Sequence, residues 1–238
     1  MAKLTITWIV HAGFILDYED RGVSVSIAID PFLEPVSSEK DKWLEKLKNI
    51  DLLLITHSHF DHMGNACEIL KLNDKIKCVG IFELANYIKD ECKVANECIG
   101  MNIGGTWIFR KEALEIPITL VQSMHSSEKG MPTGFIIRYP NFTVYHAGDT
   151  GLHSDMTLFG RLYNVKLALL PIGGHFTMGI DEAIEAVRML ETKYVIPMHY
   201  NTFPIIQANP DEFRERVEKE TMAKAIILKP GESYTFSI

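Results

Sequence analysis

Six consecutive residues place three imidazoles and one carboxylate in a single H-x-H-x-D-H segment, His57-Ser58-His59-Phe60-Asp61-His62. The segment 51–56, apolar from Leu52 to Ile55, comes directly before it and is typical of a short buried strand. Neutral imidazole is the commonest metal ligand in proteins, and nitrogen ligands with an added carboxylate suit zinc and other transition ions. The segment therefore predicts a metal site at the edge of a sheet. The alternative is a solvated histidine-rich turn that holds no metal.

The spacing within this segment predicts two neighbouring metal positions. Side chains alternate between the two faces of an extended chain, so His57 and His59 point the same way and can bind one ion. Asp61 has the same parity, whereas His62 has the opposite one. The chain must therefore turn near Asp61, and that turn directs Asp61 and His62 towards a second position.

Three further candidate ligands follow apolar segments that read as later strands. His125 follows the segment 116–122, Asp149 follows 142–146, and His199 follows 194–197. Loops at strand ends are where a rigid scaffold displays functional groups, so these loops are expected to converge on one edge.

The predicted ligands divide into two sets. His57, His59 and His125 form the first, and Asp61, His62 and His199 form the second, with Asp149 as a bridge. A catalytic zinc usually has three protein ligands and one open position, and two ions about 3.5–4 Å apart form a clamp used in hydrolysis.

Four other residues are candidates for a role beside the metals. His175 lies in a Gly-Gly turn and is predicted to contact substrate or donate a proton; the alternative is a capping or surface histidine. His11 supports a ligand, contacts substrate or is structural. His146 is expected to pack beneath Asp149 and orient it, and Thr202 to shape the pocket wall.

The order of elements predicts an α/β protein that repeats one theme twice. Predicted strands cover residues 3–9, 13–18, 23–29, 51–55, 76–79, 135–139, 142–146, 167–171, 194–197, 225–228 and 233–236, with further strands in 107–122 interrupted by Pro117. Predicted helices cover residues 39–48, 65–71, 82–89, 156–162 and 180–190, and a last one begins at the cap Asn209. We expect one domain, residues 1–238, in which two mixed sheets pack face to face with helices outside. Each half would supply one sheet.

Composition limits the classes of function. The net charge of -7 argues against non-specific binding to nucleic acid or membrane surfaces, which needs a cationic surface. The four cysteines form no C-x-x-C pair and are interpreted as free thiols in a reducing compartment. No apolar stretch approaches the roughly 20 residues of a membrane span. We therefore expect a cytoplasmic protein, and a symmetric homo-oligomer.

These motifs resemble the metallo-β-lactamase superfamily. The resemblance is carried by Thr56 to His62, His125, the Gly148-Asp149 segment and His199, and it extends over most of the chain. It implies the four-layer αββα sandwich. The segments 169–179 and 197–204 are similar to a narrower group of uncharacterised metal-dependent hydrolases, related to the lactonase that opens L-ascorbate 6-phosphate. That likeness implies a hydrolase and leaves the substrate open.

The leading hypothesis is a hydrolase with two divalent ions, zinc first, with manganese, iron or nickel also compatible. A metal-bound hydroxide would attack an ester, lactone or phosphoester bond of a small molecule. Asp61 would orient the nucleophile and receive its proton, and His175 would protonate the leaving group. One alternative is a nuclease or cyclic phosphodiesterase, which the acidic charge disfavours. The other is a non-catalytic metal-binding or ligand-sensing module.

Overall fold

The computed structural model describes all 238 residues. The strands are β1 (Lys3–Val10), β2 (Gly13–Asp20), β3 (Val23–Ile29), β4 (Leu52–Leu54), β5 (Lys77–Ile81), β6 (Cys98–Met101), β7 (Thr106–Lys111), β8 (Leu114–Gln122), β9 (Thr133–Tyr139), β10 (Phe142–His146), β11 (Val165–Pro171), β12 (Tyr194–Met198), β13 (Lys224–Ala225) and β14 (Ser233–Ser237). The α-helices are α1 (Lys40–Leu47), α2 (Phe60–Met63), α3 (Ala66–Leu72), α4 (Phe82–Cys92), α5 (Asp155–Tyr163), α6 (Ile180–Leu190) and α7 (Pro210–Glu220). None of the helices is both long and apolar enough to cross a lipid bilayer.

The strands form two seven-stranded mixed sheets, in the orders β14-β1-β2-β3-β4-β5-β6 and β13-β12-β11-β10-β9-β8-β7. In the first sheet the pairing is antiparallel from β14 to β3 and parallel from β3 to β6. The second sheet is antiparallel from β7 to β10 and parallel from β10 to β13. One apolar core of 71 buried residues includes both sheets, so they are packed layers of one sandwich, with the helices on their flanks. The predicted αββα architecture is confirmed.

Several details differ from the sequence prediction. The last strand, β14, crosses back and pairs with β1, so the chain is not divided cleanly into two halves. Pro117 does not interrupt the strands in 107–122, because pairing with β9 begins only at Ile118. The interruption lies at Glu112, whose positive φ turns the chain between β7 and β8. Strand β6 was not predicted.

Backbone contacts between the two sheets bring the ligand loops together. The carbonyl of Thr56, just before the histidine segment, accepts hydrogen bonds from the backbone and side chain of Thr133 at 3.1 and 2.8 Å. Gly148 lies against the same place with φ +61, where a Cβ would come within 2.5 Å of the Thr133 carbonyl oxygen. Only glycine fits so close an approach with a left-handed backbone, and it places Asp149 beside His57.

The cysteine prediction is wrong for one pair. Cys67 on α3 and Cys92 at the end of α4 form a disulfide bond, with their Cα atoms 4.9 Å apart. Cys78 and Cys98 are free thiols, as predicted. A separation of 25 residues in the sequence gave no sign that the two helices pack side by side.

Reduction of this disulfide is expected to lower the free energy of unfolding by about 3 kcal/mol, because the bond joins residues 25 positions apart and so closes a loop in the unfolded chain. Urea unfolding with and without a thiol reductant measures the change. The Cys67→Ser variant is the control, since its stability must not respond to the reductant. Superimposable curves for the native protein, with oxidation verified by mass, would contradict the prediction.

Candidate metal centre

All seven predicted ligands lie together at one edge of the sandwich. Three overlapping sets of side chains have ligand atoms within 4.8 Å of one another: His57, His59 and His125; His11, Asp61, His62 and His199; and His57, His62 and Asp149. The first two sets contain the two triads expected from the sequence, and the third joins them through Asp149. The segments after β4, β8, β10 and β12 supply the seven predicted ligands, with Asp61 and His62 on the short helix α2, and the turn after β1 supplies His11.

Asp149 lies at the centre of this cluster. Three imidazole Nε2 atoms surround its Oδ2 atom, at 3.0 Å for His199, 3.2 Å for His62 and 3.5 Å for His125. In the first triad, His57 Nε2 and His59 Nδ1 are 3.0 Å apart. Imidazole nitrogens that converge this closely on one another and on a carboxylate are arranged as ligands around common cations.

The unpaired polar atoms of the cluster fit bound metal ions. His62 Nε2, Asp149 Oδ1 and both ring nitrogens of His199 are buried and make no hydrogen bond of acceptable geometry, although the two Nε2 atoms lie close to Asp149 Oδ2. An unsatisfied buried polar group costs about 1–3 kcal/mol, more if charged. Divalent cations would satisfy these atoms, and every donor is a nitrogen or oxygen of the kind such ions accept.

His57 and Asp149 are in the ionisation states that metal ligands require, whereas His62 carries a proton that a metal would replace. Burial, reinforced by the charge of His62, holds the pKa of His57 well below its usual value, so His57 is neutral. Burial disfavours the charged form of Asp149, but His62 and His199 outweigh it and keep the pKa low. Burial also opposes protonation of His62, but Asp149 and Asp30 outweigh it and raise the pKa well above its usual value. A metal that binds His62 must therefore displace a proton.

Asp30 is a further candidate site residue, which the sequence did not single out. It is fully buried directly after β3 and accepts hydrogen bonds from His62 Nδ1 at 2.8 Å and from the Thr56 backbone and hydroxyl at 2.8 and 2.5 Å. Because the Thr56 hydroxyl donates to Asp30, its oxygen accepts from His57 Nδ1 at 3.0 Å. One carboxylate thus orients a histidine of each triad and leaves Nε2 of His57, and Nε2 of His62 once its proton is displaced, as the atoms that would bind metal.

His11 connects Asp61 to the second sheet. It is fully buried, with Nε2 3.0 Å from Asp61 Oδ2 and Nδ1 2.6 Å from the Thr202 hydroxyl. Burial lowers the pKa of His11 to about 4 although Asp61 opposes the shift. Neutral His11 therefore donates from Nε2 to the carboxylate and accepts from Thr202. Of the three roles open to His11, the geometry favours support of a ligand. Thr202 supports His11 and is not among the residues that line the cavity beside the candidate ligands.

His146 differs from its predicted role. It is buried, but its Nε2 donates to the carbonyl of Ala12 at 2.9 Å, and its Nδ1 accepts from the backbone of Gly148 at 3.1 Å. It therefore holds the loop that carries Asp149 against the loop after β1, and does not contact the Asp149 side chain through a hydrogen bond. Burial lowers its pKa, which keeps it in this neutral tautomer.

His146 gives a prediction for the pH dependence of stability. In the unfolded chain its pKa is near 6.5, and in the native protein it is lower. Below pH 6.5 the unfolded chain therefore binds the extra proton, and the native protein loses up to about 1.4 kcal/mol per pH unit. The His146→Gln variant keeps a donor and an acceptor but cannot titrate. Unfolding of both metal-free proteins between pH 8 and 5 should show the native protein losing stability relative to the variant. A constant difference would contradict this.

Comparison with known proteins decides the family. Residues 26–200 match the model of a family described as the beta-lactamase superfamily domain, and this range contains all seven candidate ligands and Asp30. The chain belongs to the metallo-β-lactamase superfamily. Two relatives named UPF0173 metal-dependent hydrolase, from Staphylothermus marinus and Hyperthermus butylicus, are 47% and 42% identical. Each alignment covers 97% of this chain, and 98% and 99% of the relative.

Solved structures agree with this assignment. Igni18, a metallo hydrolase from the hyperthermophilic archaeon Ignicoccus hospitalis, is similar with a TM-score of 0.87 and 42% identity, over 99% of both chains. The metallo-beta-lactamase fold protein YhfI from Bacillus subtilis has a TM-score of 0.76 at 14% identity, over 98% of this chain and 100% of that one, and shows the shared fold. This metallo-β-lactamase superfamily member is a metal-dependent hydrolase.

His175 is not placed as its predicted role requires. In this hydrolase its side chain is exposed, with a left-handed backbone, and its ring contacts that of the next residue, Phe176, at 4.4 Å. The cavity beside the candidate ligands is lined by Phe176 and does not include His175. The sequence marked the correct turn, but could not show which of two adjacent side chains faces the site.

Proposed function

We propose that the metal centre is dinuclear, with zinc as its ion, and that it hydrolyses an ester, lactone or phosphoester bond of a small molecule. The observation that carries this proposal is the position of Asp149, whose carboxylate lies within 3.0–3.5 Å of imidazoles from both triads. A single ion would leave part of this buried donor set unpaired. The set contains no thiolate, and imidazole with carboxylate is compatible with zinc and also with manganese, iron and nickel.

Each triad would hold one ion. His57, His59 and His125 would bind the first, and Asp61, His62 and His199 the second, with Asp149 shared. When bound, such ions act as Lewis acids that lower the pKa of water and polarise the oxygen of the scissile group.

Among the chain's own residues, Asp61 is the one placed to orient a water molecule beside these ions. Burial raises the energy of ionised Asp61, but the hydrogen bond from His11 outweighs it and lowers the pKa of Asp61 below its usual value. Asp61 is therefore ionised at neutral pH. It borders the cavity, and its Oδ2 accepts from His11, so Oδ1 is the oxygen that would bind the second ion and lie beside a water molecule at that ion.

Activity after metal reconstitution tests the proposal. Metal-free protein is loaded separately with zinc, manganese, iron and nickel, and hydrolysis of simple esters, lactones, phosphodiesters and amides is measured. Zinc-dependent turnover of an ester, lactone or phosphodiester, at two ions per chain, is expected. Background rates on these substrates in every metal would contradict the proposed chemistry. Fewer than one bound ion per chain would favour the non-catalytic module instead.

We also propose that the chain functions as one domain, in the cytoplasm and as a homo-oligomer. Disulfide bonds are rare inside most cells but persist in the intracellular proteins of hyperthermophiles. The Cys67–Cys92 bond is therefore compatible with an intracellular location in such a cell. Sedimentation of the purified protein tests the oligomeric state.

A further inference from the structure

A cavity of about 540 Å³ opens directly onto the candidate ligands. Five of them line it, namely His59, Asp61, His125, Asp149 and His199, together with Ser126. The rest of its wall is apolar and consists of Phe60, Phe176, Phe203 and Ile205. Its volume is in the range of small-molecule sites, which combine apolar walls with a few polar groups.

The apolar wall is assembled from three separate loops. Phe60 belongs to the histidine segment, Phe176 follows β11, and Phe203 and Ile205 follow β12. Phe60, Phe176 and Ile205 are 67%, 52% and 52% exposed, so large apolar side chains from distant parts of the chain are held in water around one opening. Clustered exposed apolar groups of this kind mark binding surfaces.

Part of this wall is fixed in place from behind. The ring of Phe203 lies 6.4 Å from that of buried Phe32 and edge-on to His11 at 5.6 Å. Phe60 also packs edge-on against Phe32, at 5.8 Å. These contacts hold two aromatic faces beside the metal ligands before any ligand binds, which reduces the entropy lost on binding.

The cavity wall contains no lysine or arginine. A phosphate on a substrate, away from the bond that is cleaved, would have no cationic partner here, although such groups are normally recognised by arginine, lysine or backbone amides. The phosphates of a nucleic acid would likewise find no lysine or arginine side chain in this wall. A second cavity, of about 800 Å³, does contain Arg214 and Lys229 but none of the seven ligands.

We propose that the substrate is an uncharged molecule whose non-reacting part is an apolar aromatic or alkyl group, bound against Phe60, Phe176, Phe203 and Ile205. This inference rests on the proposed function and names its substrate class. A wall of apolar side chains without lysine or arginine disfavours a substrate with a phosphate away from the scissile bond, such as the L-ascorbate 6-phosphate lactone.

Two esters with the same scissile bond test the proposal on zinc-loaded protein. One is 4-phenylbutyl acetate, and the other carries a phosphonate at the far end of the ring. The neutral ester should have a kcat/KM at least about tenfold higher. Its ring can be buried against the apolar wall, whereas burial of the other ring would also remove water from the charged phosphonate. Equal values, or preference for the phosphonate, would overturn the inference and leave the proposed hydrolysis intact.

Matched variants locate the effect. Phe176→Ala should lower kcat/KM for the neutral ester about tenfold, mostly through KM, and leave the phosphonate ester little changed. Leu162→Ala is the control, since Leu162 is 67% exposed and lies outside the cavity on α5. Ile205→Ala is the second wall variant if Phe176→Ala does not fold. Loss of the preference in Leu162→Ala, or its persistence in both wall variants, would contradict the proposal.

A binding measurement separates this inference from the proposed activity. Calorimetric titration of metal-free protein with 4-phenyl-1-butanol requires no turnover. Binding that Phe176→Ala weakens and Leu162→Ala does not would support the apolar site even if neither ester is hydrolysed, in which case the proposed chemistry fails alone. The apolar wall could instead be covered by a second copy of the chain, and sedimentation of the same variants tests this. If Phe176→Ala alters the oligomeric state without altering the ester preference, the wall is a subunit contact and the inference is wrong.

Discussion

The Asp149→Asn variant is expected to lose at least about a thousandfold in kcat and to bind fewer metal ions than the native protein. Metal-ion catalysis contributes several kcal/mol, and each 1.36 kcal/mol is a factor of ten. The variant keeps the size of the side chain but removes the negative charge that lies among three imidazoles. Turnover of the best substrate, with metal content per chain, measures both effects.

Asp155→Asn provides the matched control for this change. Asp155 lies at the start of α5, six residues further along, and accepts a hydrogen bond from Gln122. The same substitution there should leave metal content and kcat close to native. An Asp149→Asn protein that retains two ions and more than a tenth of native activity would contradict the bridging role.

The Asp30→Asn variant is expected to bind metal about 10–100-fold more weakly, which is the usual cost of losing an outer carboxylate partner. Asp30 accepts at both oxygens, so either orientation of the amide places its NH₂ group against a donor from Thr56 or His62. One orientation removes the acceptor of His62 Nδ1 and of the Thr56 hydroxyl, and the other breaks the bond from the Thr56 backbone, so the network that fixes the histidine tautomers is weakened in both. Competition with a chromogenic chelator measures the dissociation constant, and activity should recover at saturating metal.

Asp51→Asn tests whether this effect depends on position. Asp51 precedes β4, whereas Thr56 follows it, so the two lie at opposite ends of the same strand. Asp51 accepts hydrogen bonds from the Ser26 backbone and from Lys111, and its loss should alter stability without weakening metal binding. Equal metal affinity in Asp30→Asn and the native protein would show that Asp30 does not orient the ligands.

The convergence of the seven candidate ligands was predictable because residue type and local position were sufficient. His57, His125, Asp149 and His199 all follow apolar strands, and strand ends at one edge of a sandwich converge. Asp30 also follows an apolar strand, β3, and the same criterion would have found it. It was missed because a single aspartate before a proline is also the ordinary sequence of a turn.

The remaining features depend on tertiary packing that short-range patterns do not encode. The pairing of Cys67 with Cys92 requires α3 and α4 to lie side by side, and β14 reaches β1 from the far end of the chain. Whether His175 or Phe176 faces the cavity depends on the backbone of a single turn, in which Gly174 and His175 both have positive φ. The partners of His11 and His146 come from other loops, so their roles could not be assigned from the sequence.

The most direct test of the dinuclear centre is the location of metal in crystals of the zinc-loaded protein by anomalous scattering, with the metal content of the same sample. We predict two ions per chain, one within about 2.0–2.2 Å of ligand atoms from His57, His59 and His125. The other should contact Asp61, His62 and His199, and both should contact Asp149. A single ion, or ions bound away from Asp149, would contradict the account.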